Sequence, residues 1–427
     1  RKRAVTLIII LSLILSGLLF INYNMTRPTK LNKIIASKYN APANKAFNDQ
    51  NFYNCIVDNY NSSATKEISY TTNMSDSQLK SVSNLRCENI KIKSIKGIEK
   101  LTNLTDLNVR DNKLTSLDVS NNVKLETLDV SYNQLTSLDV SKNPKLTSLD
   151  AYNNQLTSLD VSKNTNLTDL SISDNKLTSL DVNKNPKLTS LHAANNQLTI
   201  LEVSKNTNLK YLSVDDNQLT SLDVSKNVKL EKLYAYSNQL TSLDVSKNTN
   251  LTELRIYNNQ LTNLDVSKNV NLTYLDVVVN QLTSLDLSKN VKLEELYAYS
   301  NKITSLDVSK NVNLTDLDVY DNQLTNLDVS KNTKLTQLIV DNNQLTSLDV
   351  SKNVNLTHLE TSSNQLTSLD VSKNVNLIRL WASSNKITRL DVSRNVNLTE
   401  LYVGYNQIVK LDLRYNSKLI NMAVGSD

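Results

Sequence analysis

Glycine is nearly absent from this chain, which has four in 427 residues, together with four prolines, three phenylalanines, two histidines, two cysteines and one tryptophan. So little glycine excludes a glycine-rich phosphate loop or a dinucleotide-binding turn. Two cysteines exclude a disulfide-rich scaffold. Histidines His192 and His358 lie far apart in sequence, and neither accompanies a nucleophile motif or metal-ligand spacing. The expectation is a protein without catalytic chemistry and without a cofactor or metal.

What the chain has instead is a period. From Leu104 to Lys418 one 21-residue unit recurs fifteen times without insertion or deletion, as in L-E-T-L-D-V-S-Y-N-Q-L-T-S-L-D-V-S-K-N-P-K from Leu125 to Lys145. A fixed period of this kind predicts a solenoid in which each repeat is one coil. Each unit holds two half-units, L-x-x-L-x-V-x-x-N-x and L-x-x-L-x-V-x-x-N-x-x, and in each the L-x-V alternation predicts a short strand with one face inward. The expected fold is therefore mainly β, with two short parallel strands per coil, two sheets and no helix between residues 104 and 418. A single coil cannot bury its apolar face alone and depends on its neighbours and on caps at the ends.

Two asparagine columns, Asn112 to Asn406 and Asn122 to Asn416, run through all fifteen repeats, whose only glycine is Gly404. Asparagine tolerates left-handed backbone and bonds main-chain groups that a bend leaves unpaired, and stacked amides can bond one another. These columns are expected to be structural.

The segment before the repeats reads as an α-helical cap. A helix is predicted over residues 48–60, with Phe52, Cys55, Ile56 and Tyr60 on its apolar face. A second begins at Ser75, where Gln78 completes a capping box and Met74 and Leu79 form a staple. Leu85, Cys87, Ile90, Ile95, Ile98 and Leu101 then form a less regular first coil. Cys55 and Cys87 both face inward, and either a disulfide or two buried thiols suits them. Residues 419–427 open a sixteenth repeat, and a C-terminal cap is expected to lie beyond Asp427.

Arg1-Lys2-Arg3 precedes an apolar run from Ala4 to Ile21, long enough to span a bilayer. Residues 1–22 read as a membrane anchor, with a cleaved signal as the alternative, and residues 23–47 as a linker. Either way the basic end stays inside and the repeats are exported. Charge follows the same division. Residues 1–47 hold eight basic and no acidic residues, leaving 39 basic against 42 acidic, a net −3, for the remainder. A nucleic-acid partner is excluded because the repeats offer no basic face.

The unit L-x-x-L-x-V-x-x-N-x-L-T-S-L-D-V-S-K-N-x-x resembles the bacterial leucine-rich-repeat class with a nested 21-residue period. The cap, with Leu79 and Ile95-Lys-Gly97-Ile98-Glu-Lys-Leu101, resembles that of internalin-like surface proteins. The resemblance implies a cell-surface or secreted bacterial protein that binds host or neighbouring-cell molecules.

Comparing the repeats with one another separates two faces. The second half is nearly constant, and its aspartate column (Asp118, Asp139, Asp160 onward) beside a lysine column (Lys142, Lys163, Lys184 onward) reads as a solvated face rather than a cation ladder. The first half varies at its outward positions, where ten of the eighteen tyrosines and the only tryptophan fall. Aromatic residues favour strands in any case. They are also the vocabulary of binding surfaces, because rings give large contact area at small entropic cost. The candidate ligand-binding residues are Tyr132, Tyr152, Tyr234, Tyr236, Arg255, Tyr257, Tyr297, Tyr299, Tyr320, Trp381, Tyr402 and Tyr405. The expected function is adhesion or recognition of an extracellular protein or glycan, with attachment to the membrane through residues 4–21. A structural rod presenting a further domain is the alternative.

Overall fold

The computed structural model describes residues 46–425. The proposed anchor and nearly all of the linker lie outside them. Among the described residues no helix is long and apolar enough to cross a membrane. The chain divides into two compact units between Lys145 and Leu146.

The first unit carries the cap. Helix α1 spans Gln50–Ser63, and the Asp49 carboxylate accepts the amides of Asn51 and Phe52 at its start. The helix thus begins two residues later and ends three residues later than the sequence pattern indicates, and Tyr60 is only half-buried. Helix α2, Asp76–Ser81, has its capping box in place, with Ser75 and Gln78 bonded reciprocally at 2.8 and 3.3 Å. Phe47 is buried against Phe52 and Tyr53, and its ring fills the space where Gly97 has no Cβ. At φ +107°, Gly97 is one position that needs glycine for both reasons.

Cys55 and Cys87 form a disulfide. It ties α1 to the chain just after strand β1, Asn84–Arg86. Ile90 is not part of the core. It is exposed, and Ile92 is buried in its place, because left-handed turns at Asn89 and Lys91 redirect the chain between them. Strands β2, Asp106–Asn108, and β3, Thr127–Asp129, continue in parallel from β1, aligning Leu85, Leu107 and Leu128.

The second unit contains fourteen strands of three residues, β4, Ser148–Asp150, to β17, Asn421–Ala423. Each pairs in parallel with the next at an offset of one repeat, which aligns Leu149 with Leu170 and ends with Leu401 against Met422. One coil shows how the pattern works. In residues 251–271, Leu251, Leu254, Ile256, Leu261, Leu264 and Val266 are all buried.

Only the first half of each coil forms a strand, which corrects the expectation of two. In the second half Asp265 Oδ1 accepts the Ser267 amide at 2.8 Å, and the Asn269 amide returns to the Val266 carbonyl at 2.9 Å. These turns bind the groups a ladder would need, and isolated bridges such as Asp181 to Glu202 are what remains of a second sheet. The aspartate column is therefore exposed but structural. The bond to the serine amide or hydroxyl lowers the Asp265 pKa, as it does at Asp223 and Asp286.

The column asparagines bond the main chain as expected, but they are not the left-handed residues and do not bond one another's side-chain amides. The left-handed residue is the one before the first column, such as Asn258 at φ 53° or Val279 at φ 50°. The column asparagine bonds the main chain rather than its stacked neighbours. Asn259 Nδ2 donates to the carbonyls of Ala235, Ile256 and Tyr257 at 3.0–3.2 Å, and its Oδ1 accepts the Leu240 amide at 3.0 Å. In the second column Asn269 Nδ2 donates to Val245 and Asn248 carbonyls at 3.0 and 2.9 Å. Its Oδ1 is buried without a donor, an arrangement that costs about 1–3 kcal/mol and is offset by the two N–H bonds.

Candidate binding face

Every strand before β17 centres on a buried leucine, so the residues on either side of it point outward together. With a further outward position two residues beyond the strand, this gives three parallel rows of variable side chains in the second unit. Tyr234, Arg255, Tyr297, Trp381 and Tyr402 occupy the middle row. Tyr152, Tyr236, Tyr257, Tyr299 and Tyr320 occupy the row beyond the strand. Tyr405 sits in the left-handed turn at φ 53° and is exposed, beside the rows rather than in them. Tyr132 holds the same turn position in the first unit, where the Arg110 guanidinium lies 4.8 Å from its ring centre.

The remaining row, ahead of the leucine, was absent from the sequence-derived set. It contributes Tyr211, Glu253, Tyr274 and Arg379. The signal was present: in L-x-x-L-x-V the residues flanking the second leucine share a face by the same alternation that buries the leucine.

These rows bring rings and charges into contact. His192 stacks on Tyr211 with centroids 4.4 Å apart, and Tyr211 meets Tyr234 edge-on at 5.2 Å. The Arg255 guanidinium then lies 5.1 Å from the Tyr234 ring and 4.4 Å from the Tyr274 ring. Glu253 holds that guanidinium at 2.6 Å and Lys232 at 2.9 Å. Tyr274 continues to Tyr297 at 5.5 Å. In the neighbouring row Tyr236 stacks on Tyr257, and Tyr299 meets Tyr320 at 6.2 Å. Trp381 meets Tyr402 edge-on at 5.4 Å, with Arg379 4.9 Å over its ring.

Burial shifts the ionisation of this face. It pushes the Tyr211, Tyr234 and Tyr274 phenols up to about 12. It lowers His192, disfavouring the charged imidazolium. Burial also raises Asp276 and Asp318 to about 6 and Asp341 to about 7. The two histidines do not act together: His192 bonds Ser190, and His358 bonds Thr357 on another row. Among the described residues no group of three side chains could hold a metal ion.

Comparison with known proteins agrees with this geometry. The family of leucine-rich repeats in two copies matches residues 123–164, and a leucine-rich-repeat family matches residues 163–182 and 205–226. The functional domain of InlJ from Listeria monocytogenes shares 36% identity with this chain, over 84% of this chain and 81% of that one, with a TM-score of 0.79. The chain is an internalin-like leucine-rich-repeat protein.

That InlJ domain includes a cysteine ladder. This internalin-like chain has none in its repeats, since both its cysteines lie in the cap. A leucine-rich-repeat protein of Leptospira interrogans is similar at 25% identity and a TM-score of 0.72, over 81% of this chain and 97% of that one. A plant peptide hormone receptor, RGFR1 in complex with RGF2, shares the fold at 20% identity and a TM-score of 0.68, over 81% of this chain and 67% of that one. No curated protein sequence matches the chain.

Proposed function

We propose that this protein is a non-enzymatic recognition module, exposed outside the cell, that binds an extracellular protein through the variable strand face of its second unit. One observation carries the reading. The coil is held by constant residues, whereas tyrosine, tryptophan, arginine and carboxylates collect on the strand face, where they stack rather than stand alone. Strand preference accounts for aromatic residues lying on the one ladder each coil has. It does not account for their contacts with buried carboxylates, which are the features of an anchored recognition surface. Membership of the internalin-like leucine-rich-repeat family supports a role in binding a protein partner, and a plant peptide hormone receptor of the same fold is in complex with RGF2. Tethering through residues 4–21 would keep the face presented at the cell surface.

The test is a binding screen of the purified chain against extracellular proteins and a glycan panel, beside a variant with Tyr234, Tyr236, Tyr297 and Tyr299 changed to serine. A protein partner lost with the variant supports the reading. Equal binding by the variant removes the face from it, and a response from glycans alone replaces the protein partner with a sugar.

A further inference from the structure

The strand face carries two nests of rings and carboxylates, each with an arginine of the chain, but in the second nest two carboxylates have no ion-pair partner among the described residues. In the first, Arg255 lies between Tyr234 and Tyr274 and is held by Glu253, which is 9% exposed. The second is a shallow recess of about 760 Å³ walled by Tyr299, Tyr320 and Trp381, with Asp318, Asp341 and Glu360 among its lining. In the row that Arg255 occupies, the coil at the middle of this recess presents Ile339 instead.

The charges there are incompletely matched. Glu360 is paired with Arg379 at 3.1 Å, and Arg379 is shared with Glu400 at 2.9 Å. Neither Asp318 nor Asp341 has an ion-pair partner among the described residues. Main-chain amides meet one oxygen of each: Tyr320 donates to Asp318 Oδ1 at 3.0 Å and Ser362 to Asp341 Oδ1 at 2.6 Å. Asp341 is 8% exposed. Two carboxylates drawn out of water beside three aromatic rings favour a cation, because the rings and the carboxylates attract it together and a desolvated site strengthens both terms. A planar guanidinium suits such a site better than an ammonium, since it stacks on rings and bonds carboxylate oxygens at its edge.

We propose that this recess takes an arginine side chain of a peptide segment, between the rings of Tyr299, Tyr320 and Trp381 and against Asp318 and Asp341. The proposal rests on the reading of the strand face as the binding surface and names the chemistry it selects there. A lysine side chain fits less well, and neutral or acidic segments are excluded.

Trp381 is the only tryptophan of the chain, so its fluorescence reports on the recess directly. The experiment titrates the full chain at pH 8 with an acetylated, amidated Gly-Arg-Gly-Arg-Gly peptide, and in parallel with the same peptide carrying citrulline, the neutral isostere of arginine. A saturable change in emission is expected with the arginine peptide, at an affinity at least about tenfold above that for citrulline. Asp318→Asn with Asp341→Asn should abolish that preference while leaving the emission of the free protein intact. No saturable change, or an equal response to both peptides, overturns the proposal without recourse to any variant. A double variant that retains the preference overturns it as well. Because the titration needs no natural partner, a failed partner screen leaves it standing, and a flat titration leaves the screen standing.

Discussion

Tyr236 lies face to face with Tyr257 on the adjacent coil, ring centroids 4.2 Å apart and planes 8° from parallel. Burial and a bond to Asp215 raise the Tyr236 phenol well above its ordinary range. The pair is thus ordered by the chain itself, which lowers the entropic cost of using it in binding. A double-mutant cycle of Tyr236→Ala and Tyr257→Ala is expected to give a coupling of about 0.5–1.5 kcal/mol in unfolding free energy. Strict additivity would show that the two rings stack without mutual stabilisation.

The asparagine frame makes a sharper claim. Asn259 serves three carbonyls and one amide, all main-chain, across two coils. Asn259→Ala should cost about 2–4 kcal/mol, because it leaves buried polar groups unmet as well as losing bonds. Urea unfolding read by circular dichroism measures it. A loss under about 0.5 kcal/mol would mean that water or backbone movement replaces the side chain.

Val279 predicts a gain. It holds φ 50° with a β-branched side chain, in a turn where the flanking coils have Asn258 and Ser300. Left-handed backbone costs a residue of this shape about 1–2 kcal/mol, and asparagine bears it better. Val279→Asn should therefore raise the thermal midpoint, and an unchanged or lower midpoint would refute the strain.

Asp341 predicts a pH dependence. Burial, with repulsion from Glu360 as a further cause, raises its carboxyl from 3.8 to about 7, so the fold favours the protonated form. Stability from this group is complete below the unfolded value of 3.8 and is lost as pH rises through about 7. Asp341→Asn keeps an oxygen for the Ser362 amide and removes the ionisation. The variant should exceed the native chain in stability at pH 8 by on the order of 1–3 kcal/mol and match it near pH 4. An equal difference at both pH values would place the effect in packing instead of charge.

The disulfide has a local signature. Cys55→Ser with Cys87→Ser should lower stability by about 2–4 kcal/mol. Amide exchange should rise around α1 and β1 while the coils after Leu146 stay protected, since each coil depends chiefly on its neighbours. Uniform loss of protection would show instead that the cap governs the whole array.

Most of the fold was legible because its period is written in leucine, valine and asparagine, and burial follows those letters at Leu251, Leu254, Ile256 and Val266. The second strand was misread because L-D-V alternates like a strand, yet the short aspartate side chain captures the serine amide two residues on. Alternation reports which side chains face inward, not where the backbone hydrogen bonds go. The outward aromatic rows were legible at Tyr234, Tyr236, Tyr257, Tyr297 and Tyr299, all of which contact other rings. Tyr211 and Tyr274 were missed through an unused half of the same alternation. The uncompensated carboxylates at Asp318 and Asp341 were not legible, because pairing depends on neighbours one full coil away.

Asn259 addresses one carbonyl and one amide of the preceding coil and no side chain there, so these bonds do not depend on which side chains that coil carries. Because the constant halves of the chain are nearly identical, whole coils could be deleted, duplicated or transposed without disturbing the hydrogen bonds that join them. Each event rewrites the order of outward triplets in a single step. The same side chain that closes the turn thereby makes the array heritable in modules, so its length and its surface can change faster than point substitution allows.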